Sequence, residues 1–285
     1  MTTVFDTLVS ADALARALSS PQPPLVVDCG FDLADTEAGR RAHAEAHIPG
    51  AVYAHLDDTL SATRTGANGR HPLPSREAFA VRMAALGVGD ETAVVAYDQA
   101  GGVYAARLWW MLRWVGHPAA AVLDGGLRAW TEGGHPVSSA LVPPRPPARF
   151  TLHPSRVATV DGDAVAENLV TRGRLVVDAR SPDRFRGENE TIDPIAGHIP
   201  GAANRFFREN LGPHGRFRSA PELRAAFDAL HGGRATEDIV AQCGSGVTAC
   251  HNLLAMEVAG LPGAALYPGS WSEWIARPGA PVARD

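Results

Sequence analysis

The 285-residue sequence contains no lysine, and its 26 basic residues are all arginine. That absence excludes Schiff-base chemistry on an internal lysine, including attachment of pyridoxal phosphate. It also excludes a Walker A loop, whose Lys must reach the phosphates. Cysteine is scarce: three residues cannot build a disulfide framework, so each is a core residue, a ligand or a nucleophile. Long apolar runs are missing too, since nothing approaches the ~18 residues of a membrane span. The start, MTTVFDTLVSADALARAL, carries two Asp and no basic stretch before an apolar segment, so no signal peptide is read there. A formal charge of −5 argues against general nucleic-acid affinity. These absences set the expectation of a soluble protein of a reducing, cytoplasmic compartment, with no membrane or nucleic-acid partner.

What is present is self-similarity at long range. Leu25-Val26-Val27-Asp28 recurs as Leu175-Val176-Val177-Asp178, and His47-Ile48-Pro49-Gly50-Ala51 recurs as His198-Ile199-Pro200-Gly201-Ala202. Asp124-Gly125-Gly126-Leu127-Arg128-Ala129-Trp130 is echoed by Pro268-Gly269-Ser270-Trp271-Ser272-Glu273-Trp274. Three matches in the same order, at so long a period, mean duplicated domains rather than a solenoid of small repeats. The length suits two domains at roughly 100–200 residues each. Pro143-Pro144-Arg145-Pro146-Pro147 is the densest proline cluster and reads as a stiff, extended linker. The expected division is a first domain at 1–140, a Pro-rich linker at 141–154 and a second domain at 155–285.

Within each copy, short apolar runs alternate with amphipathic stretches. Leu25–Asp28, Ala93–Tyr97, Leu175–Asp178 and Asp238–Gln242 have the length of buried strands. Ala78–Leu86 and Leu223–Leu230 have helical spacing, with Ser75 and Ser219 as candidate N-caps and Glu222 completing a capping box. Further helices start near Val103 and Val247 and stop by Gly116 and Gly260. The fold class is therefore α/β: two tandem domains, each a mostly parallel sheet flanked by helices. In such sheets ligands bind beyond the carboxyl ends of the strands.

One strand end carries a cysteine. After Asp238–Gln242 comes Cys243-Gly244-Ser245-Gly246-Val247-Thr248, then a helix. The glycines let the loop curl tightly and turn N–H groups inward as an anion nest, to which the helix adds its positive end. A Cys in that setting is a candidate thiolate nucleophile without a His base; the alternative is a buried Cys packing as a small hydrophobe. The first copy reads Asp98-Gln99-Ala100-Gly101-Gly102-Val103, a loop one residue longer by this reading. An Asp cannot supply thiolate chemistry, so only the second unit is expected to be catalytic.

The repeated HIPGA, the LVVD strands, the DGGLRAW/PGSWSEW pair and the CGSGVT loop resemble a tandem-domain rhodanese over nearly the whole chain. Within that family the neutral loop resembles 3-mercaptopyruvate sulfurtransferases. Thiosulfate sulfurtransferases typically carry basic residues where this chain has Gly244 and Ser245. The resemblance implies two-step sulfur transfer through a Cys243 persulfide, with pyruvate released from 3-mercaptopyruvate. The acceptor would be a thiol, cyanide or a reduced thioredoxin-type protein, and no metal or organic cofactor is implied. It also implies that loop residues Gly244, Ser245, Gly246, Val247 and Thr248 serve Cys243, with Ser245 assisting proton movement. Arg184 matches the family's carboxylate-binding Arg, and a guanidinium grips a carboxylate bidentately; the alternative is a surface salt bridge. Asp57 and His71 match polar residues facing the cleft, across an insertion containing Gly66, Asn68 and Gly69. A second carboxylate-binding Arg is expected between Arg184 and His198. Glu188-Asn189-Glu190-Thr191-Ile192-Asp193 stands there instead, leaving Arg186 as a substitute that an extended segment would aim away.

Other readings are weighed against this one. A Cys-based phosphatase needs a Cys-x5-Arg loop, but position 249 is Ala and no Arg occurs between Arg234 and Arg277. A thiosulfate sulfurtransferase and a non-catalytic persulfide carrier remain as alternatives. Cys250 and His251 lack the spacing of a paired metal knuckle, so Cys250 and Cys29 are read as structural. His47 and His198 recur in both copies and are read as turn residues. Trp109 and Trp110 are read as packing, as are Trp271 and Trp274, with Trp271 also a candidate for the cleft mouth.

Overall fold

The structure, a computed structural model, describes residues 6–284. It forms two compact units. The first contains residues up to 61, Pro74–Arg156 and Pro213–Phe217; the second contains Ala62–Leu73, Val157–Gly212 and Arg218 onward. Two short stretches thus belong with the unit opposite to their sequence neighbours. One of them, Ala62–Leu73, brings Arg70 and His71 into the second unit.

Each unit is built on a five-stranded parallel sheet. In the first, β1 (Leu8–Val9), β2 (Leu25–Asp28), β3 (Val52–Tyr53), β4 (Val94–Tyr97) and β5 (Ala120–Leu123) lie in the order β1-β5-β4-β2-β3. The second has β6 (Ala158–Thr159), β7 (Leu175–Asp178), β8 (Ala203–Asn204), β9 (Ile239–Gln242) and β10 (Ala265–Leu266) in the matching order β6-β10-β9-β7-β8. The register repeats as well: Asp28 pairs with Tyr97, and Asp178 with Gln242, at the carboxyl ends of the inner strands. Inner strands β2, β4 and β9 are buried at every position. That is why they read as continuous apolar runs rather than as alternation.

Helices cover the sheets. Ser75 accepts the Ala78 N–H to start the helix Arg76–Ala85. The Glu222 carboxylate accepts from both the N–H and the hydroxyl of Ser219, which starts the helix Ala220–His231. The first core gathers Leu14, Val26, Ile48, Val95, Tyr97 and Trp130. The second gathers Val165, Val176, Ile199, Val240, Tyr267, Trp271 and Trp274. Each core also buries the isoleucine of its HIPGA segment, whose turn closes through Ala51 N–H to Ile48 O and Ala202 N–H to Ile199 O. The histidines of these segments do more than turn the chain: His47 bridges to Ser138 and His198 to Ala283, tying each unit's end to its middle.

Some boundaries shift. Asp238 closes a 3-10 turn, Thr236–Asp238, so β9 begins one residue later than its apolar run suggests. The helix after Cys243 spans Thr248–Val258, and the helix after Asp98 spans Val103–Trp114. The helices begin five positions beyond Asp98 and Cys243, so the two loops have equal length rather than differing by one. The Pro-rich stretch is extended and runs along the first unit, where Ala148 N–H donates to Ala84 O at 2.9 Å and Asp90 N–H to Arg149 O at 3.1 Å. No helix among the described residues is long and apolar enough to cross a membrane.

Candidate active site

Cys243 leaves β9 and is only 2% exposed. Its backbone is clamped by the turn after β10. Trp271 N–H donates to Cys243 O and Ser272 N–H to Gly244 O, both at 2.9 Å. From the other side, Cys243 N–H donates to Ser270 Oγ at 3.1 Å, and that hydroxyl donates to Tyr267 O at 2.9 Å. Ser270 takes φ +53°, a left-handed conformation costly for a residue with a Cβ. Its two hydrogen bonds hold it there. Gly246 turns the loop at φ +77°, and a Cβ on it would lie 2.3 Å from Pro268 O, so only glycine fits. This conformation aims Gly246 N–H at Cys243 Sγ, 3.2 Å away. Cys250, one turn into the helix and fully buried, donates its thiol to Gly246 O at 3.3 Å, a structural contact under the loop.

A buried hydroxyl–imidazole pair is built on the Cys243 loop, where His71 Nδ1 and Ser245 Oγ are 2.7 Å apart. The 62–73 segment that carries His71 closes on itself through Ala62 N–H to Pro72 O. The segment docks through Arg70 N–H to Ser272 Oγ at 2.9 Å. The Arg70 guanidinium then lies over the loop, with Nη2 2.8 Å from where a Cβ of Gly244 would stand. Positive charge is thus brought to the neutral Cys243 loop at Gly244 from outside it.

Arg70 ends a ladder of alternating charges. Arg70 Nη1 donates to Asp193 Oδ1, and Arg184 Nη2 to Asp193 Oδ2 at 3.1 Å. Arg184 Nε and Nη2 also fork Glu190, at 2.8 to 3.1 Å. Glu190 in turn meets Arg180, which is buried, chelates Asp178 and lies over the Trp271 ring at 4.7 Å. Burial alone would raise the Glu190 pKa, but the Arg184 bonds and the N–H groups of Asp193 and Ile192 outweigh it and hold the carboxyl below its usual range. For Arg180, burial lowers the pKa, and the Asp178 carboxylate, aided by Glu190, reverses the sign.

The structure sorts the sequence candidates. Cys243, Gly244, Ser245, Gly246, Val247 and Thr248 form one loop and helix start; His71 and Arg184 reach that loop or the ladder beside it. Arg184 is not a surface salt bridge but a partly buried member of the ladder. Arg186 departs from expectation: it sits on the helix Pro182–Arg186, not on an extended segment. Two residues from Arg184 is about 200° around the axis, so it points outward and forks the exposed Glu188. Asp57 belongs to the first unit, where its N–H donates to His55 Nδ1 at 3.2 Å. Trp271 is fully buried and donates its indole N–H to Ile195 O, so it packs the core and does not line a cleft mouth. Arg70 was not singled out by the sequence, although it precedes His71 directly. Among the described residues no cluster of three or more His, Cys, Asp or Glu is arranged for a metal ion.

Comparison with known proteins decides the family. The rhodanese-like domain family matches residues 10–133 and again 162–277. The chain belongs to the rhodanese family. It is 46% identical over 278 residues, 97% of each chain, to a Pseudomonas aeruginosa protein named "Probable 3-mercaptopyruvate sulfurtransferase". It is 37% identical over 283 residues to the thiosulfate sulfurtransferase of Bos taurus, covering 96% of this chain and 93% of that one. The crystal structure of SseA from Escherichia coli, a 3-mercaptopyruvate sulfotransferase, superposes with a TM-score of 0.80 at 31% identity, covering 95% of this chain and 99% of that one.

The first rhodanese unit keeps the loop but fills it differently. Asp98 is fully buried, and its carboxylate accepts N–H groups of Ala100, Gly102, Tyr104 and Ala105 at 2.8 to 2.9 Å. Burial raises the Asp98 pKa, with these four N–H groups acting in the opposite direction. The cradle predicted for an anion exists here with the chain's own carboxylate inside it.

Proposed function

We propose that this rhodanese transfers sulfur from 3-mercaptopyruvate through a Cys243 persulfide to a thiol acceptor or cyanide. The observation that carries the choice of donor is the buried His71–Ser245 pair, 2.7 Å long, on the loop that starts at Cys243. Sulfur transfer from thiosulfate expels sulfite and moves no proton. Transfer from a mercaptan must handle the thiol proton and protonate a carbanion, which needs a relay near the sulfur.

In the first step the Cys243 thiolate forms an S–S bond to the donor thiol sulfur while the donor C–S bond breaks. The bonding pair stays on carbon as the enolate of pyruvate, which takes up a proton there. Sulfur is oxidised to the sulfane level and carbon is reduced, so no external oxidant enters. Ser245, held by His71, carries the proton, and the Gly246 N–H stabilises charge on Cys243 Sγ. In the second step an acceptor thiolate or cyanide attacks the outer sulfur and regenerates the Cys243 thiolate. Arg184, whose Nε–Nη2 pair is engaged by Glu190, adds its charge to the donor's carboxylate grip rather than a bidentate fork, and the first unit, with Asp98 in its loop, is non-catalytic. A thioredoxin-type protein suits the acceptor role, and three free cysteines suit a reducing cytoplasm.

The second reading, thiosulfate as donor, is favoured by the bovine relative and by the guanidinium over Gly244. Initial rates measured side by side decide between them. We expect kcat/KM for 3-mercaptopyruvate, read as pyruvate release, to exceed that for thiosulfate at least tenfold. The reverse order overturns the choice of donor. Persulfide exchange without pyruvate release would make the protein a carrier.

A further inference from the structure

The structure assigns to Arg70 the role of second anion-binding residue, gripping the donor carboxylate with a guanidinium fork that nothing else occupies. This rests on the donor reading above and deepens it. A guanidinium binds a carboxylate best through a pair of parallel N–H groups, and the side-on pair is Nε with Nη2. In Arg184 that pair is already spent on Glu190, at 2.8 to 3.1 Å. In Arg70 it is not. Nη1 alone is engaged by Asp193, while Nε is buried without a hydrogen-bond partner and Nη2 is the atom that lies over Gly244. A buried N–H left unmade is costly, and such a group inside a site is accounted for by a ligand that completes it.

The placement is built rather than incidental. Asn68 Oδ1 accepts Thr65 N–H and its amide donates to Thr63 O, which shapes the 62–73 segment. A Cβ at Gly69 would lie 2.9 Å from Gly269 O, so the segment packs backbone to backbone on the turn that clamps Cys243. The Arg70 N–H then fixes on Ser272 Oγ at 2.9 Å. Asp193 bridges both guanidiniums, its side chain only 3% exposed. It therefore holds the Arg70 fork in position without occupying it. Gly244 is the matching half of the design, since any side chain there would displace Nη2. The position between Arg184 and His198 where a second arginine is absent is thereby answered from a distant part of the chain, and the Glu188–Asp193 stretch supplies the counter-charge that positions it.

The ligand class is a planar carboxylate adjacent to a reacting sulfur, as in an α-keto mercaptan. The test compares 3-mercaptopyruvate with mercaptoacetone, the same donor without its carboxylate, in wild-type protein, Arg70→Ala and Arg70→Lys. Lysine keeps the charge and the Asp193 pair but has no fork. We expect the ratio of kcat/KM for 3-mercaptopyruvate over mercaptoacetone to fall at least tenfold in both variants, through KM for 3-mercaptopyruvate. A ratio that Arg70→Lys restores to the wild-type value reduces Arg70 to a structural ion pair and overturns the proposal. If wild-type protein releases no pyruvate, the donor reading fails instead. The anion site is then read from pyruvate affinity by calorimetry, where a tenfold weaker Kd in Arg70→Lys supports it and an equal Kd overturns it.

Discussion

Asp98 and Cys243 directly follow corresponding strands of two sheets with the same order, and a buried helix begins five positions beyond each. The turn after the neighbouring strand reaches back in both: Leu127 N–H donates to Asp98 O at 3.3 Å, and Trp271 N–H to Cys243 O at 2.9 Å. What differs is the side chain. A carboxylate is long enough to fold into its own nest and takes four backbone N–H groups. A thiol is shorter by an atom, and Sγ is met by the Gly246 N–H at 3.2 Å. The first loop is closed by its own carboxyl group, whereas the proposed function leaves the second loop's N–H groups to the donor and the persulfide. The turn residues follow suit. A Cβ at Gly126 would stand 2.1 Å from Asp98 O, whereas the corresponding Ser270 carries a Cβ and uses its hydroxyl to hold Cys243 N–H.

The comparison is broken most severely through the thiol. Cys243→Ser should reduce sulfur transfer at least about a thousandfold, because the nucleophile is gone. Cys29→Ser and Cys250→Ser should keep at least a third of it, and adding Asp98→Cys to the Cys243→Ser protein should restore nothing, since the first loop has Ala100 in the place of Ser245. Equal loss in the three single variants, with folding intact, removes the distinction between one working loop and one closed loop.

The closed loop can be opened next. In Asp98→Asn an amide NH₂ faces N–H groups that a carboxylate oxygen had satisfied, and each buried donor left unmade costs about 1–3 kcal/mol. Hydrogen exchange at Ala100, Gly102, Tyr104 and Ala105 should accelerate by about two orders of magnitude relative to the amides of 244–248. Unchanged protection would mean that the backbone, not the carboxylate, sets the first loop.

The smallest effect is a pH dependence confined to the second unit. Glu190 is held below the usual carboxylate range, so the folded protein releases that proton more readily than the unfolded chain does. Its stabilisation is present above the unfolded pKa of about 4.3 and disappears as pH falls through the lower folded value. Glu190→Gln should therefore lose about 1.5–3 kcal/mol at neutral pH, with the gap from wild type closing below about pH 4. Urea midpoints across that range measure it; a constant gap would show that shape rather than charge at Glu190 supports the ladder.

How far the sequence carries depends on whether a feature is local. The duplicated strands, the Ser75 and Ser219 caps and the strand–Cys–loop–helix order all follow from short-range patterns that these residues spell out directly. The equal loop lengths were hidden because Val247 looks like a first helical residue, while the hydrogen-bonded helix begins at Thr248. Arg186 misled because Pro182–Arg186 is a single short helix, too brief to show periodicity. Arg70 and Asp193 were illegible for a different reason. They meet across 123 residues of sequence, and the 62–73 segment that delivers Arg70 has neither helical nor strand spacing to announce where it goes.

The charge ladder from Asp178 through Arg180, Glu190, Arg184 and Asp193 to Arg70 matches three cations with three carboxylates before any donor arrives. Under the proposed function, an incoming carboxylate meets directed N–H groups in a site without surplus charge. When pyruvate departs, Asp193 and Glu190 still neutralise the guanidiniums they hold here. Product release then calls for no new counter-ion, and the same walls serve the acceptor's turn at the persulfide.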